Sequence, residues 1–139
     1  MDFATLSERL LGVLSDEGPR VAEGLPVAWH VESVPHHRHY SIVDLLVFVD
    51  PSSPEDELAA VSIHLEGTAD ARWLVDATGP GSLFLAELPQ PSEEDGRRMI
   101  TDPDYAAEVI QAFLDLTRPS LRRVLSSSAH EGLHTSTED

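Results

Sequence analysis

Polar and apolar positions recur along this chain in two rhythms, and the change from one to the other outlines the fold. Residues 2–15 keep the helical period: Phe3, Leu6, Leu10, Val13 and Leu14 return every three or four positions, and Thr5-Leu6-Ser7-Glu8 has the form of a capping box. Gly18-Pro19 predicts the end of that helix. The period then shortens to two. Between Val27 and Val34, Val27, Trp29 and Val31 share one face while His30 and Glu32 share the other. After a connector, Pro35-His36-His37-Arg38-His39, the segment Tyr40–Asp50 is apolar on nearly both faces, as befits a central strand or one beside helices.

Asp50–Glu57 carries two prolines and a run of acids, and predicts a turn. Leu58–Glu66 alternates cleanly, with Ala59, Val61, Ile63 and Leu65 inward and Ser62, His64 and Glu66 outward. Turns at Gly67–Asp70 and Gly79-Pro80-Gly81 separate two further strands, Ala71–Thr78 and Ser82–Leu88. Residues 89–101 read as a polar loop. Asp102-Pro103-Asp104 then starts a helix, with Asp as N-cap and Pro in the first turn. Tyr105, Val109, Ala112, Phe113 and Leu116 are its expected apolar face, Pro119 kinks or ends it, and Ser120 caps a short continuation over Leu121–Leu125.

Helix, strand run, helix is the order of an α+β fold: an antiparallel meander of four to five strands with an N-terminal and a C-terminal helix packed on one face. Residues 1–125 form a single domain in this reading, and the Ser-, Thr- and Glu-rich residues 126–139 a disordered tail.

Composition adds a charge. Against 25 acids stand 9 basic residues, all Arg, for a net -16; Lys, Asn and Cys are absent. Missing Lys and Asn point to a GC-rich genome, which accounts for Arg over Lys but not for the excess of acids. Fourteen acids against Arg72, Arg97 and Arg98 place -11 of that charge between Asp50 and Glu108. Such a field repels nucleic acid and anionic membranes and draws basic partners over a Debye length of about 8–10 Å. No thiol chemistry is open to the chain, and no secretory leader or bilayer-length apolar run is visible, so a cytoplasmic protein is expected.

Candidate chemistry is sparse. His36, His37 and His39, with His30 and Glu32 on the preceding strand, offer nitrogen and oxygen donors for a metal, although a solvated polar turn is the plainer reading. Asp44 interrupts the most apolar strand; buried, it would be a perturbed acid, but we expect it to mark a wet sheet face. His30, Glu32, Ser62, His64, Glu66, Arg72 and Asp76 line up on the outer face as either a solvated surface or a site for a basic protein. Arg118, Arg122 and Arg123 fit the C-terminal end of a helix dipole. No nucleophile elbow, P-loop, dinucleotide fingerprint or zinc-protease motif occurs, so no enzyme and no cofactor are expected.

Val61-Ser62-Ile63-His64-Leu65-Glu66-Gly67 followed by Ala71-Arg72-Trp73-Leu74-Val75-Asp76-Ala77-Thr78-Gly79 resembles the strand–turn–strand of the TriTu group, small acidic immunity proteins of bacterial polymorphic toxin systems. The resemblance implies a stoichiometric inhibitor that occludes a toxin, an ADP-ribosyltransferase being one candidate, without catalytic residues of its own. The secretion-chaperone-like fold is also similar, but carries a helix within its strand run where Asp50–Glu57 is short and rich in proline. A DNA mimic shares the charge argument. The expectation is a non-enzymatic binder of a basic protein partner, with Glu55, Asp56, Glu57, Glu66, Asp76, Glu93, Glu94 and Asp95 as its partner-binding groups. A small metal-dependent protein built on His30 and His36–His39 is the alternative from a different class.

Overall fold

The computed structural model describes residues 3–36, 41–66 and 72–138. The chain is α+β: helix α1 (Phe3–Ala22), strands β1 (Ala28–His36), β2 (Ser41–Asp50), β3 (Ser53–Glu66), β4 (Arg72–Thr78) and β5 (Phe84–Leu88), then helices α2 (Glu93–Thr101) and α3 (Pro103–Glu138). The strands form one antiparallel sheet in the order β1-β2-β3-β4-β5, the meander that the short turns predict. The inner face carries Trp29 and Val31 of β1, Leu46 and Phe48 of β2, alternate residues Ala59–Leu65 of β3, and Trp73, Val75 and Ala77 of β4. These pack against Leu6, Leu10 and Leu14 of α1, Met99 and Ile100 of α2, and Ile110, Leu114 and Leu121 of α3. The helices therefore cover one face only.

α1 does not end at Gly18-Pro19 but runs on to Ala22. Pro19 is exposed and forfeits a single backbone hydrogen bond, while Val21, one residue beyond Arg20, is fully buried. The last turn is also held from outside: Arg122 Nη1 donates to the carbonyls of Arg20, Val21 and Glu23 at 3.3, 2.9 and 2.8 Å. Gly24, at φ 74°, closes the helix, with Leu25 N–H donating to the Ala22 carbonyl at 2.9 Å. Gly18 is required for a different reason. A β-carbon there would lie inside the Trp29 ring, so glycine sets how closely α1 sits on β1. Gly18→Ala is expected to lower stability by about 1–3 kcal/mol despite its better helix propensity. A urea midpoint at or above that of the parent would contradict this packing argument.

The predicted turn at Asp50–Glu57 shrinks to Pro51-Ser52. Asp50 Oδ1 accepts from Ser52 N–H at 2.9 Å and Ser52 Oγ at 2.7 Å, closing the chain tightly and holding the Asp50 carboxyl below its ordinary range. Register shifts after Phe48 accommodate Pro54 next to the ladder, so Glu55, Asp56 and Glu57 lie on β3 and not in a loop.

Residues 89–101 are not a loop either, because α2 occupies most of them. Ser92 is its N-cap, accepting from Asp95 N–H at 3.2 Å; Glu93, Glu94 and Asp95 sit where the helix dipole favours acids, and Arg97 pairs with Glu93. Two buried side chains, Met99 and Ile100, and Trp73 Nε1 donating to the Gly96 carbonyl at 3.2 Å fix α2 to the sheet.

Asp102 caps α3 as expected, accepting from Tyr105 N–H at 3.2 Å. The helix continues through Pro119, which is exposed, and its backbone is helical over residues 126–138 as well, where composition predicts a disordered tail. Its buried stripe is Ala106, Ala107, Ile110, Phe113, Leu114 and Leu121. Ala112 and Leu116, expected on that stripe, face solvent, with Leu116 84% exposed.

Candidate functional site: the uncovered sheet face

Antiparallel register places His30, Glu32, Ser62, His64, Glu66, Arg72 and Asp76 on one face, as the alternation predicts, and that face is the one no described helix covers. Ser62 lies opposite Asp76, His64 opposite Leu74, and Glu66 opposite Arg72. Glu87 joins them across from Asp76. His30 Nε2 is 2.9 Å from Glu32 Oε1, and His64 Nε2 is 3.9 Å from Glu66 Oε1.

The eight acids singled out by sequence separate into groups. Glu66 and Glu93 share one cleft of about 370 Å³ with His64, Arg72, Leu74, Gln90 and Pro91. It exists because β5 pairs only with Val75–Thr78, leaving the segment after Leu88 to pass beside the first residues of β4. Glu94 and Asp95 follow in the first turn of α2. Asp76 lies mid-face and half-buried. Glu55, Asp56 and Glu57 are exposed at the opposite end of β3, about 30 Å along the strand from Glu66.

Between these acids runs a feature that charge alone did not reveal. From Val43 to Val49 the outer positions of β2 are apolar: Val43 and Leu45 are half-buried, and Val47 and Val49 are buried outside the helix-side core. Val34 on β1, Leu74 on β4 and Phe84 on β5 add large side chains that are 41%, 58% and 61% exposed. Phe84 pairs with Thr78 just after a tight turn in which Gly81 and Ser82 both have positive φ, 66° and 62°. Glycine adopts that backbone freely; serine does so at some strain.

Asp44 is on the other side. It lies opposite Ser33 and Ile63 on the helix-covered face and is fully buried, contrary to the wet-face expectation. Ser33 Oγ donates to Oδ1 at 2.6 Å, and Ser7 Oγ of α1 lies 3.0 and 3.2 Å from the two carboxylate oxygens. Burial raises the Asp44 carboxyl above its ordinary value, opposed by the Ser33 and then the Ser7 hydroxyl. The set is closed by its own hydrogen bonds and ties α1 to β1 and β2.

Arg118, Arg122 and Arg123 lie within α3 and not at the end of a helix dipole, because the helix runs on to Glu138. Arg118 clamps the fully buried Glu17 with Nε–Oε2 and Nη2–Oε1 both at 2.7 Å, and reaches Asp115 Oδ1 at 2.7 Å. That fork holds the Arg118 guanidinium firmly charged. Arg122 caps α1, as described above, and only Arg123 of the three is left at the surface without such a role.

His36 closes β1, while His37, Arg38 and His39 lie outside the described residues, as does the Gly67–Asp70 turn. Among the described residues no group of three or more His, Asp or Glu side chains is placed to hold a metal. No described helix is long and apolar enough to cross a membrane. Comparison with protein-family models, curated proteins and solved structures returns no match.

Proposed function

We propose that this chain is a non-enzymatic binding protein that neutralises or escorts a basic protein partner, an immunity protein against a toxin domain being the most concrete version. One observation carries the reading: on the uncovered sheet face Asp76 and Glu87 lie opposite each other with no ion pair among the described residues, while Glu32 and Glu66 have only imidazoles and one arginine beside them. Arg9, Arg20, Arg97 and Arg118 pair with carboxylates on the helices. On the sheet face Arg72 is the single described guanidinium among Glu32, Glu66, Asp76 and Glu87. A fold that needed those acids only for itself would bring cations to them. With so few cations beside them, they concentrate negative potential on a surface that no described helix covers.

The immunity version draws further support from the Val61–Gly67 and Ala71–Gly79 likeness to the TriTu group. The chaperone-like alternative loses ground because β2 passes directly into β3 through Pro51-Ser52, with no room for the helix that such domains carry. Charge of this kind acts mainly on the rate of encounter. With a basic partner co-purified from the native source, the association rate is expected to fall about tenfold or more from low to high salt, while dissociation changes little. Stopped-flow or surface-plasmon kinetics across salt concentrations would read this. An association rate indifferent to salt is the result that would sink the proposal.

A further inference from the structure

We infer that the uncovered sheet face docks an apolar ridge bordered by lysine or arginine side chains on the partner, with Leu74 and Phe84 as the anchoring groups. This rests on the basic-partner reading above and adds to it the chemistry of the contact. Three of the five large apolar side chains most exposed in the described structure, Val34, Leu74 and Phe84, stand on this one face. They come from three different strands, so no single strand's patterning accounts for them. Beside Val34 the half-buried Val43 and Leu45 continue the apolar surface onto β2, and His64 and Ser62 of β3 stand between them and β4, where Leu74 lies opposite His64. Glu32, Glu66, Asp76 and Glu87 stand around and among these groups. Exposed apolar side chains interleaved with acids on one uncovered face fit a protein contact whose partner is both apolar and basic.

The turn before β5 supports the same assignment. Ser82 holds φ at 62°, and the chain that leaves it presents Leu83 and Phe84 at 56% and 61% exposure. Both the strained serine and the exposed aromatic work against folding. The turn is held in that shape by Gly79 N–H donating to the Leu83 carbonyl at 2.7 Å and Leu83 N–H to the Pro80 carbonyl at 3.3 Å, so the exposed aromatic is presented on a fixed backbone. An aromatic fixed on a short strand loses little freedom on docking and suits an anchor.

The occupant follows from charge. A second copy seated face to face would bring Glu32, Glu66, Asp76 and Glu87 against their own equivalents, on molecules each carrying -16. A partner with cations around its apolar ridge meets attraction at the same rim.

The experiment uses the full chain, labelled with nitrogen-15, and three synthetic probes: an amphipathic helical peptide of leucine and lysine, an oligolysine of equal charge, and the leucine–glutamate counterpart. The leucine–lysine peptide is expected to shift amide resonances along β4 and β5. Leu74→Ser combined with Phe84→Ser should weaken that peptide about tenfold or more and leave oligolysine binding unchanged. Both positions are more than half exposed, so the variant should keep the parent's circular dichroism and melting behaviour. Equal affinity for oligolysine and the leucine–lysine peptide would overturn the inference while leaving the acidic-face proposal standing. So would shifts confined to the groove that Glu8, Arg9 and Gly12 of α1 form with Pro103 and Asp104 of α3, or an unaffected double variant. A sedimenting dimer abolished by the variant would make a second copy the occupant and overturn it too. Equal binding of the leucine–glutamate peptide would overturn the basic-partner reading together with this one.

Discussion

Replacing Arg118 with methionine is expected to lower the unfolding free energy by about 3–5 kcal/mol, the usual consequence of removing one partner of a buried ion pair. Glu17 has no exposed surface, and its two carboxylate oxygens are taken by Arg118 Nε and Nη2 at 2.7 Å. Arg20, 3.7 Å away and half exposed, is a poor substitute. The methionine stem would fill most of the volume left by the guanidinium, so the loss comes from a bare carboxylate rather than from a cavity. Two controls separate these causes. Glu17→Met alone should be milder, because Arg118 retains 26% of its side-chain exposure and its bond to Asp115. Glu17→Met with Arg118→Met should recover most of the single variant's loss, since an apolar pair can replace a buried ionic one at little net change. Urea unfolding of the three variants reads all of this. An Arg118→Met loss under about 1 kcal/mol would place Glu17 in contact with water and refute the buried-pair description.

That pair also marks the limit of what the sequence discloses. Glu17 and Arg118 are 101 residues apart, and nothing local signals that they meet. Local rules did find the strands, because Leu58–Glu66 and Ala71–Thr78 alternate so regularly that only one face could be buried. They found the start of α3, because Asp102-Pro103 satisfies a cap whose partners lie within one turn. They failed where two readings share one pattern. β2 is apolar on both sides, so its parity is ambiguous, and Asp44 lies on the inner face although an acid is ordinarily better placed on a wet one. α2 has nine residues and two buried large side chains, too few to show a helical period, and its three leading acids favour a helix N-terminus as much as a loop. At Gly18-Pro19 the local stop signal was overridden by tertiary contacts: Trp29 against the glycine and Arg122 on the carbonyls beyond.

The candidate site was legible in the same uneven way. Charge and alternation brought Glu66, Asp76, His64 and Arg72 to one face before any coordinates. They did not disclose that the same face exposes Leu74 and Phe84, because exposure depends on what covers a residue, and the helices all chose the other side. Charge also grouped Glu55–Glu57 with Glu93–Asp95, although the strand between them carries the two clusters to opposite ends of the sheet.

Asp44 supplies the remaining large effect, with a pH dependence whose sign is set by its burial. Ser7→Ala with Ser33→Ala is expected to cost about 3 kcal/mol at neutral pH, since each hydroxyl bonds a charged carboxylate and the group has no exposure of its own. The Asp44 carboxyl is already raised by burial, so the native state takes up its proton more readily than the unfolded chain does. Between the unfolded value, about 3.9, and the raised native one, native protein therefore binds more protons, and this group's contribution to stability falls as pH rises through that window. Removing the two donors raises the native value further and widens the window. The deficit of the double variant relative to the parent should then be largest where the carboxyl is charged in both and shrink as pH falls below the raised native value, where it is neutral in both and only weaker hydrogen bonds differ. Taking the difference between variant and parent cancels the titration of the other acids, which the substitutions do not touch. Asp44→Asn tests the same sign from the other direction: it keeps an acceptor for both serines without a charge, and should hold or gain stability at pH 7 while losing that advantage in acid. Unfolding free energies at several pH values decide the matter. A deficit that grows on acidification would mean that the two hydroxyls favour the neutral carboxyl, and would refute their assignment as donors to the Asp44 carboxylate.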